Sequence, residues 1–448
     1  MSAEKKRINS FYVENLGCSK NQVDAEVMVA NLVEKGWTLS PSPEDADCII
    51  VNTCGFIESA KKESIETTLS FRQMYPGKKI LMSGCFAQRY GEDIFGDMAE
   101  VDGVFGNRDL KKVTEVFGIL ERGERALLIP TAGGGYTERE KLLSFPGTAY
   151  VKISEGCNHG CSYCAIPLIR GALRSRPAEE IVKEIASLVE KGIREINLIA
   201  QDLAAYGTDR GKAEFPELLE KISALEGDFW IRLLYIYPDN FPFEILEIIR
   251  GDKRFLPYFD LPFQHADGKV LEAMGRKGNI GLYLDLISRI REEIPSSVIR
   301  STFMTGFPGE GKKEKEELLS FIEKAELDWA GFFVYSREEN TRAYRMRSSL
   351  AHNIAVKAAE KFLPRLEKKQ ESITVKRMER FAGKELDILV EENVEGDPFS
   401  FGRAYLQAPE VDGSTVILTD RVKPGEIVRC RIVRSNGIDL EAQPADGV

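Results

Sequence analysis

The sequence predicts an α/β protein of several domains: an open parallel α/β sheet at the N-terminus, a partial (β/α)6 barrel in the middle and a small antiparallel, OB-like β-barrel at the C-terminus. Short apolar strand patterns alternate with helical patterns up to about residue 130, six strand–helix units follow, and short strands with turn residues between them fill the last part of the chain. A length of 448 residues also exceeds what one core ordinarily organises. We therefore expect domains at 1–130, 146–380 and 381–448, with a glycine-rich linker at 131–145.

Three cysteines of the N-terminal segment each come one to three residues after a predicted strand. The strands are expected at 11–15, 49–51 and 80–82, and the cysteines are Cys18, Cys54 and Cys85. Parallel neighbouring strands lie about 4.8 Å apart, so their carboxyl ends would bring the three thiols to the sheet edge where open α/β folds bind ligands. The pattern alone also allows all three to be buried free thiols, which is the role we expect for Cys48 and Cys430.

A second set of cysteines, Cys157, Cys161 and Cys164, has the spacing C-x3-C-x2-C after the first predicted barrel strand. Barrel enzymes place their chemistry at the carboxyl ends of the strands, where this loop lies. Closely spaced thiolates ligate iron–sulfur clusters, and three thiolates on a four-iron cluster leave one iron open. A structural zinc needs a fourth Cys or His, for which His159 is the local candidate, so zinc or a disulfide is the alternative.

Composition narrows the class of function. The chain has 71 Asp and Glu and 61 Lys and Arg, which gives a net charge of −10. This charge argues against a protein that binds nucleic acid over much of its surface. Three histidines leave little room for conventional His-based acid–base chemistry. No apolar run is long enough to span a bilayer and the first residues carry no signal core, so we expect a cytoplasmic protein with no membrane contact. Eight cysteines then favour metal binding over disulfides.

The second cysteine motif resembles the signature of the radical S-adenosylmethionine (radical-SAM) enzymes. The resemblance implies that the open iron holds the amino and carboxylate groups of S-adenosylmethionine (SAM), and that an electron from the cluster cleaves SAM to a radical that abstracts hydrogen. It also implies that Tyr163, the residue before the last cysteine, lies near the adenine. Other candidate SAM contacts are Gln201 after the second barrel strand, Gly306 in the turn after the fifth, and Arg300 on the fifth strand, which could hold a carboxylate.

The whole chain resembles the methylthiotransferase family, in which a three-cysteine α/β domain precedes a radical-SAM barrel and a C-terminal module called TRAM. This resemblance implies a radical-SAM 4Fe–4S cluster on Cys157, Cys161 and Cys164. It also implies an auxiliary 4Fe–4S cluster on the three N-terminal cysteines, where sulfur is methylated or delivered. One SAM would donate the methyl group and another would supply the radical, with a flavodoxin- or ferredoxin-type reductant. The sulfur donor stays open.

Within that family the substrates are an adenosine of tRNA, modified at position 2, and the β-carbon of an aspartate of small-subunit ribosomal protein twelve. Residues 258–265, 274–276 and 408–413 resemble the ribosomal-protein branch. From residue 381 onward, seven Lys and Arg face thirteen Asp and Glu, and this charge of −6 suits a basic protein better than RNA. We therefore expect the ribosomal protein as the substrate and tRNA as the alternative. The alternative from a different functional class is a non-catalytic electron carrier or redox sensor, although such a protein would be expected to have clusters fully ligated by four cysteines.

Overall fold

The computed structural model describes residues 8–135 and 137–445. Residues 8–135 form a parallel sheet of six strands in the order β2-β1-β3-β4-β5-β6, with helices on both faces. The strands are β1 Ser10–Asn15, β2 Thr38–Leu39, β3 Cys48–Thr53, β4 Lys79–Gly84, β5 Gly103–Gly106 and β6 Ala126–Leu128. The helices are α1 Ser19–Glu34, α2 Glu58–Met74, α3 Cys85–Asp97 and α4 Val113–Glu121.

In the register of this sheet, the carboxyl ends of the central strands lie side by side. Asn15 at the end of β1 is paired with Asn52, and Asn52 is paired with Ser83 near the end of β4. Both β3 and the apolar residues of β4 are buried, as expected of parallel strands covered on two faces. The loops that carry Cys18, Cys54 and Cys85 therefore leave the sheet at one edge, as the sequence predicts.

The second sheet is an open barrel, with parallel strands in the order β14-β13-β12-β11-β10-β7. Its strands are β7 Thr148–Lys152, β10 Glu195–Ile199, β11 Trp230–Leu234, β12 Phe255–Asp260, β13 Val298–Thr305 and β14 Trp329–Val334, with a small hairpin of β8 Ser154–Glu155 and β9 Arg174–Ser175. The helices are α5 Ile166–Arg170, α6 Ala178–Glu190, α7 Phe215–Ser223, α8 Glu244–Gly251, α9 Gly268–Met274, α10 Ile280–Glu293, α11 Lys312–Ala325 and α12 Ser349–Glu379. The predicted partial (β/α)6 barrel is confirmed.

The N-terminal sheet domain covers the open side of this barrel by contacting both edge strands. Helix α1 packs along β7. At the other edge, Glu338, a few residues after β14, accepts from Arg89 at 2.6 Å and from Lys61 at 3.2 Å. Because these contacts lie at the two ends of the strand order, the sheet domain bridges the gap between β7 and β14.

Residues 381–445 form a closed β-barrel of five strands in the order β15-β16-β17-β19-β18. The strands are β15 Glu385–Asn393, β16 Ser400–Ala404, β17 Thr415–Ile417, β18 Ile427–Asn436 and β19 Asp439–Pro444. Four of the strand pairs are antiparallel, as predicted, and the pair β17–β19 is parallel. A parallel pair closes the ring because the chain crosses the barrel between β17 and β18 instead of turning back as a hairpin.

The C-terminal barrel packs against the amino-terminal ends of the central strands. Arg403 pairs at 2.6 Å with Glu195, the first residue of β10. Trp329, the first residue of β14, donates its indole N–H to the carbonyl of Leu406 at 2.7 Å. One buried apolar cluster includes residues of both barrels. The C-terminal barrel thus closes the end of the partial barrel opposite the cysteine loop.

No helix in the described parts of the chain is long and apolar enough to cross a membrane.

Candidate functional site

The first cysteine set lies where three parallel strands end. Cys18 precedes α1 as its N-cap residue, Cys54 follows β3 directly, and Cys85 begins α3 directly after β4. The turn from β4 into α3 requires glycine at position 84, because φ there is +95° and a Cβ would lie 2.5 Å from the carbonyl oxygen of Thr53. The local backbone therefore directs all three thiols to one edge.

Cations and amide donors surround these thiols. The Arg170 guanidinium lies 3.2 Å from the sulfur of Cys85, and the Asn107 amide donates to the same sulfur at 3.3 Å. Burial raises the pKa of Cys85 to about 12, opposed by Arg170 and reinforced by the Cys18 and Cys54 thiols. Burial likewise raises the pKa of Cys54. The thiols thus lie close enough to repel one another as thiolates, which a bound cationic cluster would relieve.

Cys18 behaves differently from its two neighbours. Its surrounding protein atoms act to raise its pKa, but Lys20, Arg170 and the backbone N–H groups of Asn21 and Lys20 outweigh them, and the pKa is lowered. It keeps accessible surface, whereas Cys85 is buried. Cys18 is therefore the thiol of this set that most readily becomes a thiolate before a metal binds.

The second cysteine set lies in the loop between β8 and α5, at the carboxyl end of β7. Gly156 opens the loop with φ +78°, and a Cβ there would lie 2.1 Å from the carbonyl oxygen of Ala172. The N–H of His159 donates to the sulfur of Cys157 at 3.4 Å, which is the kind of contact that cluster sulfurs accept. Burial raises the pKa of Cys157 to about 11 and that of Cys164 to about 12.

The donor sets fit 4Fe–4S clusters better than single ions. In the described residues no three His, Cys, Asp or Glu side chains converge closely enough to hold one metal ion. A cubane cluster binds each thiolate through a different iron, so its ligands stand farther apart than those of one ion. His159, the candidate fourth ligand for zinc, instead contacts Asp202 at 2.7 Å and stacks on Tyr237 with ring centroids 4.2 Å apart. Its imidazole is already engaged, and the zinc alternative loses its local fourth ligand.

Three of the candidate SAM residues lie on loops at the carboxyl ends of the barrel strands. Tyr163 and Phe307, which follows Gly306, form an edge-to-face pair with centroids 6.4 Å apart, so the cysteine loop and the turn after β13 meet. Gln201 donates to Glu155 at 3.3 Å, and its side-chain carbonyl is buried with no hydrogen-bond partner. These three candidates lie around the mouth of the barrel, and an unpaired buried acceptor is typical of a site that takes a ligand donor.

The fourth candidate, Arg300, is held by two carboxylates. Its guanidinium lies 3.3 Å from Asp412 of the C-terminal barrel and 3.5 Å from Asp260. Tyr258 also donates to Asp412, at 2.5 Å. The arginine thus joins the two barrels, and its charge is already balanced by two carboxylates.

One buried arginine connects the two cysteine sets. Arg170 donates to Glu155 at 2.9 Å and to Asp24 at 2.9 Å, in addition to its contact with Cys85. Glu155 lies two residues before Cys157, and Lys152 lies 2.6 Å from it. Burial alone would raise the pKa of Glu155, but Arg170 and Lys152 hold it well below its usual range. A continuous, charged chain of side chains therefore runs from one site to the other.

The sequence reasoning missed the buried polar side chains of α1. Lys20, Asn21, Asp24 and Glu26 are all less than 9 % exposed, and they face the central barrel domain or the cysteines. A signal was present, since the first two turns after Cys18 are polar at nearly every position. A solvent-exposed helix face would place its polar residues along one side of the whole helix. Polar residues gathered in the first two turns, directly after a candidate ligand, instead indicate a buried polar site.

Comparison with known proteins agrees with this architecture. Residues 10–106 match the uncharacterized protein family UPF0004, residues 151–322 the radical SAM superfamily and residues 382–444 the TRAM domain. The ribosomal protein uS12 methylthiotransferase RimO of Treponema denticola is 42 % identical over 95 % of this chain and 98 % of its own. That of Aquifex aeolicus is 40 % identical over 97 % of each chain.

The chain belongs to the RimO family. It is a radical-SAM methylthiotransferase, and the radical-SAM superfamily brings a 4Fe–4S cluster and SAM. Solved structures show the fold. The radical-SAM methyltransferase TsrM of Kitasatospora setae has a TM-score of 0.56 at 15 % identity, over 75 % of this chain and 77 % of its own. OxsB, a cobalamin-dependent radical enzyme, has a TM-score of 0.51 at 12 % identity, over 82 % and 58 %.

Proposed function

We propose that this enzyme inserts a methylthio group at the β-carbon of an aspartate of ribosomal protein uS12. The observation that carries the proposal is Arg170, which bridges the domain interface from Cys85 of one three-cysteine set to Glu155, two residues before the other set. A single-cluster radical enzyme has no use for a second thiol set beside the first. A reaction that both activates a C–H bond and delivers sulfur to it needs two such sites within reach of one substrate.

We assign the ligands of two 4Fe–4S clusters to these sites. Cys157, Cys161 and Cys164 would hold the radical-SAM cluster, and Cys18, Cys54 and Cys85 would hold the auxiliary cluster. When bound, the clusters supply an electron for SAM cleavage and an iron corner for sulfur. The protein contributes position and exclusion of water, since Arg170 fixes the gap between the sites and the N-terminal domain covers the open side of the barrel.

For SAM we propose Tyr163, Gln201 and the turn at Gly306. Gln201 offers the unpaired carbonyl described above to a donor of the ligand. Tyr163 is fixed by a hydrogen bond that its hydroxyl accepts from Arg276 at 3.3 Å, which leaves its ring as a wall of the mouth. Arg300 is a fourth candidate, at which a carboxylate of SAM would have to displace Asp260 or Asp412.

The choice of a protein over tRNA follows from charge and from relatives. The C-terminal barrel carries a net charge of −6 over residues 381–448. Phosphate binding requires Lys and Arg, whereas an acidic module attracts a basic ribosomal protein. The relatives compared above carry the name of uS12 methylthiotransferase.

The decisive experiment offers both substrates to the same enzyme. Anaerobically reconstituted and reduced enzyme is incubated with SAM, sulfide and either uS12 or tRNA, and the products are weighed by mass spectrometry. We expect one methylthio group on uS12 and none on tRNA. A methylthio group on tRNA alone contradicts the substrate assignment.

Two cysteine variants test the division between the sites. Cys161→Ala should abolish 5′-deoxyadenosine formation, while Cys54→Ala should keep it and stop sulfur insertion. The iron content should fall from roughly eight to roughly four atoms per chain in each variant. Cys48→Ala is the matched control, because this thiol is buried at the other end of β3. Equal loss of both activities in both variants contradicts two separate sites.

A further inference from the structure

Lys20 is a buried lysine beside the first cysteine set. It lies two residues after Cys18, in the first turn of α1, and its side chain belongs to a residue only 8 % exposed. Its Nζ lies 3.3 Å from the ring centroid of Tyr235. Tyr235 directly follows β11, so its ring stands at the carboxyl end of the barrel strands, where Gln201 also lies. The ammonium therefore points from the auxiliary site toward the mouth of the barrel.

Lys20 differs from the other buried cations around it. Lys152 has Asp24 at 2.5 Å and Glu155 at 2.6 Å, and Arg170 has the same two carboxylates at 2.9 Å. Throughout the described residues, by contrast, no acceptor hydrogen-bonds to the Nζ of Lys20 and no carboxylate lies within 4.0 Å of it. The aromatic face of Tyr235 replaces only part of the hydration that the ammonium has lost.

A buried, unpaired ammonium has a physical consequence for what binds beside it. Removing a charge from water is unfavourable unless an opposite charge replaces the water. Asp260 and Glu155 act on Lys20 only at longer range, and Arg170 and the Cys18 thiol also face it. An incoming carboxylate would therefore find a cation with free donors that needs no desolvation of its own.

The place of Lys20 limits which carboxylate this is. The β-carbon that receives sulfur has to come between the auxiliary site, beside Cys18, and the SAM site at the barrel mouth. In an aspartate, the side-chain carboxylate is bonded directly to that β-carbon. A cation that holds the carboxylate therefore also fixes the carbon and its hydrogen.

We propose that Lys20 forms, with Tyr235 behind it, a carboxylate-binding site for the aspartate that receives the methylthio group. This inference rests on the proposed function and adds to it the residue that selects an acidic side chain. Lys20 acts by charge and position. A charged hydrogen bond of this kind should give a preference of about ten- to a hundredfold for Asp over Asn.

The test measures binding rather than turnover. Fluorescently labelled uS12 carrying Asp or Asn at the acceptor position is titrated with the cluster-loaded enzyme, and the two dissociation constants are compared. We expect the wild type to prefer the Asp form at least tenfold, Lys20→Met to bind both forms equally, and Lys20→Arg to keep most of the preference. Lys384→Met is the control, since this exposed lysine also lies over a ring, that of Phe381, in the C-terminal barrel.

Iron, sulfide and 5′-deoxyadenosine are measured for each variant, so that a change in uS12 binding can be distinguished from loss of a cluster or of SAM cleavage. An undiminished Asp preference in Lys20→Met overturns the inference, and so does a variant that loses affinity for SAM instead of for uS12. If the wild type binds both forms equally yet methylthiolates uS12, the inference falls and the proposed function stands. If only tRNA is modified, both fall.

Discussion

The contact between the C-terminal barrel and the partial barrel gives the sharpest stability prediction. Arg403 is nearly inaccessible, and its guanidinium pairs with Glu195 at 2.6 Å and with Glu391 at 2.6 Å. It also donates to the carbonyl of Gln407 at 3.1 Å. Arg403→Met keeps most of the length of the side chain and removes every one of these bonds. Two buried carboxylates then lose a cation.

The magnitude follows from what is left behind. Breaking a buried ion pair by removing one partner costs about 3–5 kcal/mol, chiefly because the remaining charge is uncompensated. Glu195 retains Arg232, whose Nε lies 2.8 Å away, so we expect the lower end, about 3 kcal/mol. With a urea slope of roughly 2–3 kcal/mol per M, the unfolding midpoint should fall by about 1–1.5 M.

Tryptophan fluorescence measures this transition at the relevant place. Trp230 and Trp329 belong to the apolar cluster shared by the two barrels, and Trp37 is the remaining tryptophan of the sequence. Urea titrations of wild type and Arg403→Met should therefore report separation of the barrels directly.

The control is an arginine on the solvent side of the same module. Arg429 pairs with Glu385 at 3.4 Å and Asp387 at 3.1 Å and is about half exposed, so Arg429→Met should cost less than about 1 kcal/mol. A midpoint shift for Arg403→Met no larger than that of the control would refute the reasoning.

Three further predictions concern the other features of the chain. Gly84→Ala should lower the iron content to roughly half and keep 5′-deoxyadenosine formation, because its Cβ would collide with the backbone beside Cys85; Gly77→Ala, where a Cβ meets nothing within 4 Å, should change neither. Burial acts to raise the pKa of Glu195, but Arg403 and Arg232 hold that pKa at about 2, below the unfolded value of about 4.3. The stability that the ionised Glu195 contributes is therefore complete above about pH 5 and is lost as the pH falls toward 2. In Glu195→Gln, the thermal midpoint should depend less on pH over that interval. Glu338→Gln leaves Arg89 and Lys61 without their shared carboxylate and should cost about 3–5 kcal/mol, which faster hydrogen exchange in α2 would detect and unchanged exchange would contradict.

The sequence was informative wherever local patterns decide the structure. The strand ends that carry Cys18, Cys54 and Cys85 were predictable because buried parallel strands read as apolar runs and parallel neighbours end at one edge. The six units of the partial barrel and the five strands of the last module were predictable for similar reasons. The ligand role of the six cysteines stays a prediction, as do the proposed domain boundaries.

What escaped prediction depends on how the domains meet. Arg300 stays a candidate SAM residue, and no local pattern reveals that the C-terminal barrel brings Asp412 against it. The engagement of His159 with Asp202 depends on a side chain more than forty residues away. The parallel pair β17–β19 reflects closure of the whole ring, which strand periodicity cannot express.

The contacts of Arg170 imply that side chains packed against each other set the distance between the two cysteine sets. Its guanidinium spans from a thiol of one domain to the carboxylate that precedes the cysteine loop of the other. Separating the two domains would leave several buried charged groups without their partners at the same time, which is unfavourable. We therefore expect the sheet domain and the partial barrel to stay together while reactants and products exchange.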